Sequence, residues 1–254
     1  MEKYNFFSFI TVSHGHFEDI KKLVISIDKY WLNTCELIIV DNKNEFVLSD
    51  FDFLCENDFL TINLIRNHKL KSFSENNNLA VANAKYEKIF IINPDVEFFN
   101  SSVFDKYISL DLQAIVYPKL LNSDFSDQVH YNEWPNIIGQ LKRLLMFKLN
   151  HDGFSYPRNK DWFFAAAIIL RKVDFLSVGG FNEAYPLYCE DVDFYHRLLC
   201  NRYVVLYDEE VTLVHHLGGD SKGKYLSKAI YSNLVWRYYK IKNILFCSPI
   251  NKPD

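Results

Sequence analysis

Between Lys88 and Phe99 the chain reads KIFIINPDVEFF. Ile89, Phe90, Ile91 and Ile92 are apolar at every position, the pattern of a central parallel strand buried on both faces. Pro94 has no N–H to give a strand ladder, so the strand is expected to end there. Asp95 then sits just past the carboxyl end of a central strand, where open α/β sheets hold their ligands. By itself Asp95 also fits a turn-forming role after proline.

Upstream, Phe6–Val12 reads as a strand, Ser13-His14-Gly15-His16 as a polar turn and Phe17–Tyr30 as an amphipathic helix. Glu36–Val40 is a second buried strand ending in Asp41-Asn42, and Leu60–Ile65 a third ending in Arg66-Asn67. The polar segment Ser72–Asn78 leads into a helix that reaches about Ala84. This alternation predicts an α/β protein with a doubly wound, Rossmann-like sheet flanked by helices. Downstream, Gln113–Tyr117 is a further strand, and Leu121–Lys160 is expected to be irregular, a lid or an acceptor-binding region. Order returns at Trp162–Leu170. Lys172–Val178 reads as a short helix stopped by Gly179-Gly180, and Cys189–Arg202 as a helix with Glu190, Asp191 and Asp193 in its first turn. Tyr203–Tyr207 and Val211–Val214 read as two strands, the second ending in His215-His216. From Lys224 to Phe246, Leu226, Ile230, Leu234, Ile241 and Leu245 recur at helical spacing.

A chain of 254 residues, 49% hydrophobic and 24% charged, buries a sizeable core. A net charge of −4 argues against a nucleic-acid binder. Cys35, Cys55, Cys189, Cys200 and Cys247 include no CxxC pair and read as free thiols in a reducing compartment. The amino terminus does not read as a signal peptide, and the longest uncharged apolar run, Trp162–Leu170, is too short to span a bilayer. The expected location is cytoplasmic, with peripheral contact to the inner face of the cell membrane as an extension of that reading.

Asp41, Asp95 and the pair His215-His216 end apolar runs, and Glu190-Asp191 opens a helix. Singly, each also has a bland explanation: a turn cap for Asp41, helix-dipole complementarity for Glu190-Asp191, a hydrogen-bonded core imidazole for either histidine. Their order along the chain, together with FSFITVSH, ELIIVDN, SFSENNN, IINPDVEF, DWFFAAAIILRKVDFLSVGGFNEAYPLYCEDVDFYHRL and HHLGGDS, resembles the GT-A glycosyltransferases of family 2, most closely their bacterial rhamnosyltransferase-like branch. The resemblance runs from Phe6 to about Asn243. It implies a GT-A fold with one catalytic domain over residues 1–221 (a nucleotide-sugar half to about 118, an acceptor half from about 119) and a helical tail over 222–254.

The resemblance also implies the site. The first strand (Thr11, Ser13), the second (Asp41, Asn42), the asparagine segment (Asn76, Asn77) and the Asn93-Pro94-Asp95 turn bind the donor. Asp95 with His215 or His216 holds a divalent metal, Mg²⁺ or Mn²⁺, on the diphosphate. Asp191 is the base, with Glu190 the runner-up. Apart from the resemblance, Trp162, Phe163 and Tyr188 read as aromatic faces for the acceptor sugar or, more commonly for such residues, as buried core. Ser72, Leu79 and Ala165 stand where the family often has glycine, and Asn93 replaces the first acid of the D-x-D motif. Asn93 is therefore read as a sugar-contacting or supporting residue.

The chemistry is coherent on its own terms. A departing nucleoside diphosphate gains negative charge that a cation stabilises, and inversion needs a base for the acceptor hydroxyl. The expected partners are a nucleotide-sugar (dTDP-rhamnose or a UDP-sugar) and a glycan acceptor, lipid-linked, of a bacterial surface polysaccharide. The rivals are a sugar nucleotidyltransferase, whose glycine-rich phosphate loop SHGHFED hardly provides, and a non-catalytic GT-A-like binder. The tail, with Lys222, Lys224, Lys228, Arg237, Lys240, Lys242 and Lys252 among tyrosines and Trp236, reads either as a helix lying on an anionic membrane or as a docked helix with a solvated basic face.

Overall fold

Ile89 and Ile91 enter one hydrophobic core, and Phe90 and Ile92 enter the other, on the opposite side of the strand. That two-sided burial makes Lys88–Ile92 (β4) the middle of a sheet. The computed structural model describes residues 6–31, 33–54, 59–107, 112–135, 157, 159–216 and 226–246. Before β4 come β1 (Phe7–Ser13), α1 (Phe17–Tyr30), β2 (Cys35–Asp41), β3 (Leu60–Arg66) and α2 (Phe73–Asn83). After it come β5 (Val96–Glu97), α3 (Ser102–Tyr107), β6 (Ile115–Leu121), β7 (Tyr131–Asn132), β8 (Trp162–Phe163), β9 (Ala167–Arg171), α4 (Lys172–Ser177), α5 (Glu190–Cys200), β10 (Val205–His215) and α6 (Leu226–Phe246).

The eight-stranded sheet has the order β3-β2-β1-β4-β9-β6-β10-β5. β1 pairs in parallel with β2 and β4, β2 with β3, and β6 with β10. β9 runs antiparallel between β4 and β6, and β5 runs antiparallel to β10. Two reversed strands thus interrupt a sheet that is otherwise parallel, as the alternation predicts. α1 and α3 cover one face, where Trp31 packs edge-on against Phe7, Phe9 and Phe104. α2, α4, α5 and Trp236 of α6 cover the other.

Three local readings change. The two strands expected at Tyr203–Tyr207 and Val211–Val214 are one strand, β10, which begins at Val205 and whose register against β6 shifts between Asp208 and Thr212. Asp208 lies opposite Pro118, which has no N–H for the ladder, so β10 bulges instead of ending. Ser72–Asn78 is not a lead-in to α2 but mostly α2 itself. Ser72 Oγ accepts from Glu75 N (3.2 Å) and Glu75 Oε2 accepts from Ser72 N (2.8 Å), a capping box. Within the stretch expected to be irregular, Tyr131–Asn132 pairs antiparallel with Trp162–Phe163, while residues 136–156 and 158 lie outside the described residues. Cys35 and Cys189 are buried thiols. Cys55 and Cys247 lie outside the described residues.

Gly180 shapes the approach to α5. Its φ of +63° is left-handed, and a Cβ there would stand 2.6 Å from Asn78 Oδ1 and 2.9 Å from the Phe175 ring. The space lets Asn78 of α2 clasp Phe181, accepting from its N–H at 2.9 Å and donating to its carbonyl at 2.8 Å. Gly179 is also left-handed, but a Cβ there meets nothing within 4 Å. Alanine at either position is expected to cost about 1–2 kcal/mol through the backbone alone. Gly180→Ala should lose clearly more than Gly179→Ala in urea unfolding, and equal losses would show that the Asn78 clasp is not tight.

Candidate active site

β1, β2, β4, β6 and β10 point the same way, so their carboxyl ends share one edge of the sheet, and the antiparallel β9 begins at that edge. There the chain gathers Ser13, Asp41, Asp95 and His215.

At the β4 end, Asn93 N donates to Ala166 O at 2.8 Å and Val96 N donates to Asn93 O at 3.2 Å, turning the chain at Pro94 and aiming Asp95 at β10. Asp95 Oδ1 lies 3.2 Å from His215 Nε2, and both side chains are nearly sealed from water. The hydrogen bonds define the imidazole. Gln128 donates its amide to His215 O and Asn122 Oδ1, both at 3.0 Å. Its Oε1 therefore faces His215 Nδ1 at 2.7 Å, and that nitrogen carries the hydrogen. In the neutral ring Nε2 then turns a lone pair toward a carboxylate oxygen. Such a pair is stable when the ring is protonated or when a cation binds both atoms.

The pair fits a hard divalent ion. Adjacent ligands of an octahedral ion with bonds of ~2.1 Å stand about 3 Å apart, close to the separation seen here. Among the described residues no group of three or more His, Cys, Asp or Glu side chains comes together. A two-residue donor set suits an ion that completes its shell with phosphate oxygens and water. His216 turns elsewhere. Its Nε2 contacts Glu97 Oε2 at 2.9 Å and its Nδ1 contacts Ser123 Oγ at 2.8 Å, while its backbone N–H donates to Asp95 O at 2.8 Å. Asn122, Ser123, Asp124 and the two histidines line a cleft of about 430 Å³.

At the β1–β2 end the polar groups mostly bind one another. Asp41 is fully buried, and its carboxylate accepts from the backbone N–H of Phe46 (2.9 Å) and Lys43 (3.3 Å). Asn42 Oδ1 accepts from Asn67 Nδ2 (3.0 Å) and Lys71 N (2.9 Å), and its Nδ2 contacts His14 Nδ1 at 2.9 Å. Asn67 also donates to Asn76 Oδ1 at 2.6 Å. These amides tie the loops after β1, β2 and β3 to α2. Asn77 is buried and donates back to Phe73 O. Ser13 Oγ accepts from His16 N. Thr11 Oγ1 is buried without a hydrogen-bond partner. Burial and the charges of Lys43 and His16 lower the His14 pKa, so its ring is neutral near pH 7.

The third part is the start of α5. Tyr188 and Cys189 both have φ of 69°, a left-handed conformation that costs non-glycine residues about 1–2 kcal/mol each. They turn Glu190 and Asp191 into the protein. Glu190 is 8% exposed and its Oε2 has no hydrogen-bond partner. Asp191 accepts from the backbone N–H of Val192 (2.8 Å), and the nearby Ala165 backbone favours its charged form. Burial raises both pKa values, and the Asp191 charge raises Glu190 further. Trp162 is 6% exposed, its Nε1 donating to Glu133 O. Tyr188 is half-buried.

The two distant parts meet at one dipeptide. Asn93 N donates to Ala166 O, and the backbone of the next residue back, Ala165, favours the charged form of Asp191. Thus the turn that carries Asp95 and the helix start that carries Asp191 share one dipeptide. Asn67, His14, Gln128 and Glu97 were not among the residues singled out from sequence. Only Asn67 and His14, at strand ends, carried a signal that could have found them.

Over 259 residues, 93% of each chain, the sequence is 26% identical to the rhamnosyltransferase WbbL of Escherichia coli (strain K12). It is 24% identical to the low-salt glycan biosynthesis hexosyltransferase Agl10 of Haloferax volcanii, covering 75% of this chain and 60% of that one. The fold matches the mannosyltransferase PcManGT of Pyrobaculum calidifontis, solved with GDP-Man and Mn²⁺, with a TM-score of 0.60 and 14% identity over 93% of this chain and 64% of that one. The fold is that of the GT-A glycosyltransferases. No protein-family model matches the chain.

A carboxyl whose pKa is higher folded than unfolded binds more protons in the native state, so the stability contributed by Glu190 and Asp191 falls as pH rises through that window. Glu190→Gln removes the penalty. Its gain in urea midpoint over wild type is expected to grow from about pH 4 to about pH 8. A gain independent of pH would mean that Glu190 ionises normally.

Proposed function

We infer that the protein transfers one sugar, with inversion, from a nucleotide-sugar to a glycan acceptor of a bacterial surface polysaccharide such as an O-antigen or capsule. The observation that carries this reading is the Asp95–His215 pair at the carboxyl edge of the sheet, on a turn tied through Asn93 N to Ala166 O, the residue after Ala165, whose backbone favours the charged form of Asp191. Similarity to a rhamnosyltransferase along 93% of both chains supports dTDP-rhamnose as donor, with UDP-sugars the alternative. Asp95 and His215 would hold the divalent ion, and His216, committed to Glu97 and Ser123, would support the turn. A cation bound there supplies Lewis-acid stabilisation to the departing diphosphate.

Asp191 acts at the other end. Its raised pKa makes it a stronger base than an exposed carboxylate while leaving it ionised near neutrality. The acceptor hydroxyl oxygen attacks the anomeric carbon from the face opposite the diphosphate, the bond to the phosphate oxygen breaks, and the hydroxyl proton passes to Asp191. Glu190, raised further, is protonated near neutrality and leaves the negative charge on its neighbour. The asparagine lattice of Asn42, Asn67 and Asn76 holds the loops about the nucleoside. Among the described residues no helix is long and apolar enough to cross a membrane, and the reading places the enzyme on the cytoplasmic side, where a lipid-linked acceptor is reached from the surface.

A panel of nucleotide-sugars, scored for donor hydrolysis and then for transfer, identifies the donor. Asp191→Asn is expected to lower transfer about 10²–10⁴-fold while nucleotide binding stays intact. Full transfer in that variant would remove Asp191 as the base. In calorimetry with dTDP or UDP, Asp95→Ala and His215→Ala should each abolish the Mn²⁺-dependent part of binding, whereas His216→Ala keeps it. The opposite ranking of the two histidines would reassign the metal contact.

A further inference from the structure

The helix α6 is amphipathic in an unusual sense. The residues that hold it to the domain are Trp236, fully buried and stacked at 5.9 Å on Trp134, and Ser232, whose Oγ donates to Leu187 O at 2.6 Å. Tyr239, on the same side, contacts Tyr185. The apolar residues at helical spacing point the other way. Ile230, Tyr231, Leu234, Tyr238 and Ile241 are between 48% and 63% exposed. At 100° per residue they occupy an arc of about 100°. Arg237 follows one border of the arc and Lys242 the other, with Lys228 beyond it. α6 carries four cations and no acid in a chain whose net charge is −4, the fourth cation, Lys240, lying over the Trp134 and Trp236 rings on the docked side.

We propose that this face of α6 seats the enzyme on an anionic lipid bilayer. An aliphatic stripe with tyrosines at its margin and cations on both sides matches the layered chemistry of a bilayer surface, apolar below and anionic at the headgroups. A second copy of the chain is a poorer occupant. A two-fold contact through this face would set each cationic border against its own kind with no acid in the helix to offset it. The seat also has a consequence for the site. α6 is bonded to Leu187, and Asn233 Oδ1 lies 3.8 Å from Cys189 Sγ, so the helix rests on the segment that leads into Glu190 and Asp191. A bilayer under α6 therefore lies next to the residues assigned to the acceptor. In that respect the proposal deepens the transfer reading.

Vesicle flotation of the whole protein tests this and reads no catalysis, so its result is separate from that of the transfer assay. Vesicles of phosphatidylcholine with about a third phosphatidylglycerol are expected to carry the wild type at low salt, with at least tenfold preference over phosphatidylcholine alone, and to release it as salt screens the headgroups. Leu234→Glu with Ile241→Glu should cut binding at least tenfold without moving the thermal midpoint or nucleotide binding, because both side chains are exposed. Lys242→Glu should reduce the preference for anionic lipid. Wild-type protein that stays unbound at low salt overturns the proposal. So does a concentration-dependent dimer that Leu234→Glu dissolves.

Discussion

Asp95 follows the fourth strand and His215 ends the last, yet their polar atoms stand 3.2 Å apart at the sheet's carboxyl edge. A carboxylate and an imidazole held that close are placed to share one divalent cation. Much else in the fold serves this contact. β4 has to stop at Pro94, β10 has to run its full length beyond the bulge opposite Pro118, and Gln128 has to fix the imidazole from behind.

The reversed strand β9 makes the second half of the site possible. Because it runs against β4, it begins where β4 ends, and the dipeptide just before it can reach both Asn93 and Asp191. The left-handed pair Tyr188-Cys189 stores strain at the start of α5 and turns two carboxyl groups into a dry pocket. Stability is given up here to hold two carboxyl groups out of water, which raises both pKa values.

The central strands were legible because β1, β2 and β4 are buried on both faces, so apolar runs announced them directly. Proline and glycine marked where β4 and α4 end. The direction of β9 was not legible, since a five-residue apolar run carries no polarity. The face of α6 was misleading as well. Its apolar periodicity marks the exposed side, and one buried tryptophan does most of the docking. Among the site residues, Asp41, Asp95, Asp191 and the histidines sat at element ends and could be named. Gln128 and Glu97 could not, because their partners lie 87 and 119 residues away. Left-handed Tyr188 and Cys189 gave no sign either, being residue types that rarely adopt that conformation.

Anomalous diffraction at the manganese edge, from crystals grown with a nucleoside diphosphate and Mn²⁺, tests the central contact most directly. The expected result is a single peak bonded to Asp95 Oδ1 and His215 Nε2 with diphosphate oxygens completing the shell. A peak between Glu97 and His216, or a nucleotide bound with no metal near Asp95, would contradict it.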